Sequence, residues 1–297
     1  MFESLRYFIM ELSREGILPQ SLQYGFVINA LICALFIGPT LGGLGTMVVT
    51  KKMAFFSEAI GHAALTGVAL GILLGEPTST PFVSLFGYCI LFAIFINYTR
   101  NRTKMSSDIL IGVFLAISIT IGGSLIVAIS SKVNSHILES ILFGSILTVN
   151  DIDIYILIFS TILLLIILIP YFNDMLISSF NSSLAAVRGV KINFLEYLFI
   201  LTITIITVAS LKIVGSILVE ALLIIPAAAA KNLSKSMKEF IVYSIVFSTV
   251  SCILGIFLPI HYDWTIPSGG AIILVAAFIF IVSVIIKSVV KSFSEGI

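Results

Sequence analysis

A chain of 297 residues that is 59% hydrophobic and 10% charged, with a mean hydropathy of +1.19, has too little polar surface to close a soluble globule. Its net charge of +1 excludes an electrostatic nucleic-acid binder, and Cys33, Cys89 and Cys252 stand singly in apolar stretches, which implies neither a disulfide framework nor a thiolate metal site. Backbone groups in lipid must be bonded within their own segment, and the apolar runs are far longer than barrel strands, so the fold class is an all-α polytopic membrane bundle.

In chain order, residues 1–20 alternate Leu5, Phe8, Ile9, Leu12 and Ile17 with Glu3, Arg6, Glu11, Arg14 and Glu15, an amphipathic pattern suited to lying on membrane lipid. The acidic residues make it a poor secretory signal. Windows of about 20 apolar residues predict spans at 24–49, 53–75, 80–98, 109–131, 152–172, 194–211, 213–231, 238–259 and 268–288. Nine is the count, and eight is also compatible. The apolar run 137–147 contains Glu139 and is too short to cross, so it reads as a re-entrant or surface helix. Nothing in the pattern divides residues 1–297 into more than one transmembrane domain.

Basic residues cluster in alternate connections: Lys51 and Lys52; Arg100, Arg102 and Lys104; Arg188 and Lys191; Lys231, Lys235 and Lys238; Lys287 and Lys291. These twelve of the sixteen Lys and Arg residues mark the cytoplasmic side, so the first span starts outside and the C-terminus ends inside. The opposite loops carry Glu76, Glu139, Asp151, Asp153 and Asp263, with His136 and His261.

Within the second span, Glu58 and His62 lie one turn apart in a stretch with no other charge before Glu76. Ionisable groups there cost a few kcal/mol each, and i, i+4 spacing lets a carboxylate and an imidazole converge on one cation. Taken alone, they could equally satisfy each other inside the bundle. Depth adds a third candidate: His62 lies about 15 Å from Lys52, and Glu220 lies about 16 Å from Lys231 in the seventh span. Two carboxylates and a neutral imidazole would balance a divalent cation, and the carboxylates would share a proton when empty. The alternative for Glu220 is an ion pair with Lys212, two turns earlier on its helix. Thr66 and Ser216, one turn from His62 and Glu220, could orient these groups from a second shell, or bond local carbonyls. Gly38 with Gly42, and Gly67 with Gly71 and Gly75, form small-residue ridges for close helix packing. Pro226 frees a carbonyl one turn back that could line an ion path.

The run Phe56-Ser57-Glu58-Ala59-Ile60-Gly61-His62-Ala63-Ala64-Leu65, followed by Gly67-Val68-Ala69, resembles a signature of the membrane permease subunits of metal ATP-binding-cassette importers (the ABC-3 family). So do Val214-Gly215-Ser216-Ile217-Leu218-Val219 with Ala221-Leu222-Leu223-Ile224-Ile225-Pro226-Ala227-Ala228, and Pro267-Ser268-Gly269-Gly270 at the last span. The likeness runs from about Leu31 to Ile286. It implies a multi-pass permease of the bacterial cell membrane that moves zinc, manganese or iron inward and holds no permanent cofactor. It also implies a homodimer, a cytoplasmic ATPase subunit and an extracytoplasmic metal-binding protein as partners. The chain is then a transport subunit and not an enzyme: it carries no GxxxxGK[ST] phosphate loop. By the same resemblance, the cytoplasmic region 172–192 holds the coupling helix, with Leu184, Ala185, Ala186, Val187, Arg188 and Gly189 docking into the ATPase.

Two positions depart from the family pattern. Asp is usual where Glu58 stands, and an uncharged residue is common at the place of Glu220, which leaves Glu220 open between metal ligand and partner of Lys212. Nitrogen and oxygen ligands suit zinc, manganese or ferrous iron, with zinc and manganese preferred. Two other classes share part of this pattern. A proton-coupled secondary divalent-cation transporter shares the buried acids, whereas an intramembrane metallohydrolase lacks an HExxH motif or a second intramembrane histidine.

Overall fold

A computed structural model describes residues 2–77, 81–103, 105–129, 149–180, 182–262 and 266–295. The segment 137–147, together with Lys104, Lys132, His136, Asp263 and the side chain of Lys212, lies outside the described residues. Those residues form α1 (Phe2–Arg14), a 3-10 turn (Gln20–Gln23), α2 (Gly25–Thr50), α3 (Phe56–Leu73), α4 (Phe82–Thr103), α5 (Ser107–Ile129), α6 (Asp151–Phe180), α7 (Ser182–Val187), α8 (Ile192–Val214), α9 (Ser216–Leu233), α10 (Met237–His261) and α11 (Ser268–Glu295), with no strand among them.

Nine of these helices, all but α1 and α7, are long and apolar enough to cross a membrane. They match the nine predicted spans one for one. The differences lie at the ends and have local causes. The second span begins at Phe56 because the chain first turns at Lys52, whose φ is 53°. The third continues past its apolar window to Thr103, carrying Arg100 and Arg102 out of the apolar zone on helical backbone. The fifth runs through Pro170 to Phe180.

The chain divides into two compact units, Met1–Thr46 with Ser145–Ile158 and Ala221–Ile297, and Met47–Gly144 with Phe159–Glu220. In the first, α10 packs along α11, and α2 meets α10 through its glycines. A Cβ added at Gly38 would lie 2.8 Å from the Thr249 backbone, and one at Gly42 would lie 2.7 Å from the Ser244 carbonyl. The Ser244 hydroxyl donates to the Gly42 carbonyl at 2.6 Å. The ridge at Gly38 and Gly42 is therefore a real helix contact. At the chain start, amphipathic α1 forms as read, with Tyr7 and Phe8 exposed, and Arg6 pairs with Asp151 in the first turn of α6. α10 opens on a cap in which the Glu239 amide donates to the Ser236 hydroxyl at 3.2 Å.

In the second unit α3 is enclosed by α4, α5 and α8. Gly67 and Gly71 lie against Leu85 and Ser84 of α4, at 3.1 Å and 3.0 Å from where a Cβ would stand. Gly75 does not continue that ridge, contrary to the sequence reading. It has open space around it and a φ of +90°, so it reverses the chain after α3 instead of packing. The turn it makes lets Glu76 accept the Ser84 amide at 3.0 Å, together with the Ser84 hydroxyl, at the start of α4.

Replacing Gly42 by Ala should force α2 away from α10 and destabilise the protein by about 1–3 kcal/mol. Gly112→Ala, which meets nothing within 4 Å, should be neutral or slightly stabilising. Thermal unfolding of the two variants in detergent checks the contrast.

Candidate functional site

The turn that starts α3 is built by the Phe56 amide donating to the Met53 carbonyl, and it places Glu58 in the first helical turn. A carboxylate there also complements the positive end of the helix dipole. His62 follows one turn on. Between Phe56 and Ala69 every residue of α3 is buried except Glu58 and His62, which are both half-buried. The two ionisable groups are thus the accessible positions of α3 between Phe56 and Ala69.

The other half of the candidate site comes from the break between α8 and α9. Gly215, with φ 82° and ψ 160°, ends α8 by donating its amide to the Leu211 carbonyl at 2.7 Å, and its own carbonyl then accepts from Val219 in the first turn of α9. A non-glycine residue would be strained at that φ. This restart aims the first turns of α9 at α3. A Cβ built on Gly61, between Glu58 and His62 in sequence, would lie 2.8 Å from the Ser216 Cβ and 3.9 Å from a Leu211 methyl. Glu220, one turn beyond Ser216, is half-buried and near enough to Glu58 for the two charges to act on each other.

The structure therefore brings Glu58 and Glu220 onto facing helices, with His62 one turn along α3. It does not close them into a compact set: among the described residues no three His, Cys, Asp or Glu side chains gather tightly enough to hold a metal ion. The hydroxyl of Thr66 donates to the Ser118 carbonyl of α5 at 3.4 Å, and Ser216 stands at the α3 contact. Cys33, Cys89 and Cys252 are all buried and unpaired, as expected of small apolar side chains.

The segment expected to couple to an ATPase forms the short helix α7. Ala185 is fully buried, whereas Leu184 and Val187 are 48% and 87% exposed, so one side holds the helix to the protein and the other presents apolar surface. Gly189, at φ +77°, closes the helix: its amide donates to the Ala186 carbonyl, and the Val190 amide donates to the Ala185 carbonyl. Arg188, Gly189, Val190 and Lys191 line a cleft of about 740 Å³ together with Tyr171, Asp174, Phe194 and Leu195.

One cluster was not anticipated. Arg100 of α4 pairs with Glu196 of α8 at 2.8 Å, Arg100 also lies 3.6 Å from the Met53 sulfur, and the Lys51 ammonium stands 5.4 Å over the Phe199 ring. Burial pushes the Lys51 pKa below its ordinary value; Glu196 pulls it up and Arg100 pushes it down. In the sequence, Lys51 and Arg100 read only as topology markers. The available signal was Glu196, an acid just beyond the basic residues Arg188 and Lys191. A cycle of Arg100→Gln, Glu196→Gln and the double variant should give a coupling of about 1–2 kcal/mol in detergent melts, with each single variant costing more than half of the double.

With this geometry established, the chain can be set beside known proteins. The family model described as the ABC 3 transport family matches residues 23–287. The manganese import system permease protein ScaB of Streptococcus gordonii is 36% identical over 260 residues, covering 88% of this chain and 91% of that protein. The high-affinity zinc uptake system membrane protein ZnuB of Haemophilus influenzae is 29% identical over 255 residues, covering 86% of this chain and 95% of its own. In the solved structure of PsaBC from Streptococcus pneumoniae in complex with Fab, a chain 34% identical in sequence superposes with a TM-score of 0.76, covering 89% of this chain and 93% of that one.

Proposed function

The chain belongs to the ABC 3 transport family, and from that premise we propose that it is the membrane permease of an ATP-driven importer that carries a divalent transition metal into the cytoplasm. The single observation that supports this most is that Glu58 and His62 are the only accessible positions of α3 between Phe56 and Ala69, with Glu220 near Glu58 on α9. Two carboxylates and a neutral imidazole offset a 2+ charge in a region where uncompensated charge is expensive. The cargo is manganese or zinc. A set with two carboxylates to one imidazole favours manganese, the harder ion of the two, and the more similar of the two relatives above is named for manganese import.

Energy comes from a separate ATPase subunit that docks on the exposed Leu184 and Val187 of α7. An extracytoplasmic metal-binding protein delivers the ion, and two copies of the permease make the membrane unit. The chain sits in the bacterial cell membrane with its basic connections and its C-terminus in the cytoplasm. Family membership sets aside the proton-driven secondary carrier considered from the sequence.

The test is manganese and zinc uptake, with ATP hydrolysis, by the permease–ATPase complex in liposomes. His62→Ala and Glu58→Gln should each lower uptake at least tenfold while the complex still assembles on gel filtration. Glu220→Gln should do the same if Glu220 is a ligand. Recovery of Glu220→Gln by Lys212→Met would instead make that pair structural, and unchanged uptake in His62→Ala would overturn the assignment.

A further inference from the structure

We propose that the contact between Gly61 and Ser216 is the spacer that sets the width of the metal site, which makes Gly61 a specificity-determining position; this rests on the permease reading above. The ligand set is split between two helices, so the distance between its halves is the distance at which α3 and α9 can approach. Gly61 lies between Glu58 and His62, and it faces Ser216, one turn before Glu220. The missing side chain is what allows the approach, since a Cβ at Gly61 would stand 2.8 Å from the Ser216 Cβ, inside ordinary van der Waals contact.

The obstruction would be stiff. A Cβ is the root of a side chain and cannot rotate away, and Ser216 directly follows Gly215, which is fixed by its bond to the Leu211 carbonyl. A Leu211 methyl lies 3.9 Å from the same point, so sliding toward α8 gives little relief. A methyl at Gly61 must therefore move the start of α9 outward, by roughly 1 Å if ordinary packing is restored. Metal–ligand distances tolerate only about 0.2 Å. Zinc, with short bonds and a four-coordinate preference, loses more from such a widening than manganese, which accepts longer bonds and fills vacant positions with water. The spacer thus acts through Glu220 and Glu58 without touching the ion.

The experiment measures manganese uptake by the permease–ATPase complex in liposomes over a manganese series, and its inhibition by zinc. Gly61→Ala should raise the KM for manganese about tenfold with the maximal rate changed far less, and should weaken zinc inhibition by a larger factor. Adding Ser216→Gly, which deletes the obstructing Cβ, should return both quantities toward native. Adding Ser216→Ala, which keeps the Cβ and removes the hydroxyl, should not. A native KM and native zinc inhibition in Gly61→Ala overturn the proposal, as does equal rescue by Ser216→Gly and Ser216→Ala. If the native complex moves neither metal, the permease reading itself has failed; if it does and Gly61→Ala matches it, the spacer alone is wrong.

Discussion

α3 is held on several sides at once, by α4, α5 and α8, and that enclosure leaves accessible, between Phe56 and Ala69, only the two side chains least suited to an apolar helix. A mobile helix could turn Glu58 and His62 toward water. An enclosed one cannot turn freely, and Gly61, between Glu58 and His62, is held against Ser216 at the start of α9. Charge inside a membrane span is costly, and under the proposed function a divalent cation is the partner that would offset it.

Lipid supplies no hydrophobic force to press helices together, so close backbone approach and polar ties must do so. The glycines of α2 and α3 provide the approach at Gly38, Gly42, Gly67 and Gly71. The ties lie near helix ends: Arg6 with Asp151, Glu76 with the start of α4, and Arg100 with Glu196. Ties of this kind contribute modestly when partly exposed.

Much of this was legible in the sequence, for reasons that differ by feature. Span number followed from hydrophobic length, which lipid enforces without regard to partners. Glu58 and His62 stand out as candidates because charge inside a span is rare, and Glu220 joins them because helical rise is constant and its depth from Lys231 matches; what the structure adds is that Glu58 and Glu220 lie near each other. α7 was found only through family resemblance, because six residues carry no periodic signal. What escaped were relations between helices. The Arg100 and Glu196 pair needs α4 beside α8, and the meaning of Gly61 needs Ser216 opposite it. Gly75 was read as a packing residue from its spacing, yet its backbone is in a conformation that ends α3.

The proposed permease depends on one imidazole and two carboxylates, those of His62, Glu58 and Glu220, holding the transported ion. Pulsed paramagnetic resonance of Mn(II) bound to the purified permease–ATPase complex tests it without any transport step. Nitrogen modulation from a single imidazole is expected, and it should disappear in His62→Gln while the ion stays bound more weakly. Bound Mn(II) with no nitrogen modulation, or modulation that survives in His62→Gln, would contradict it.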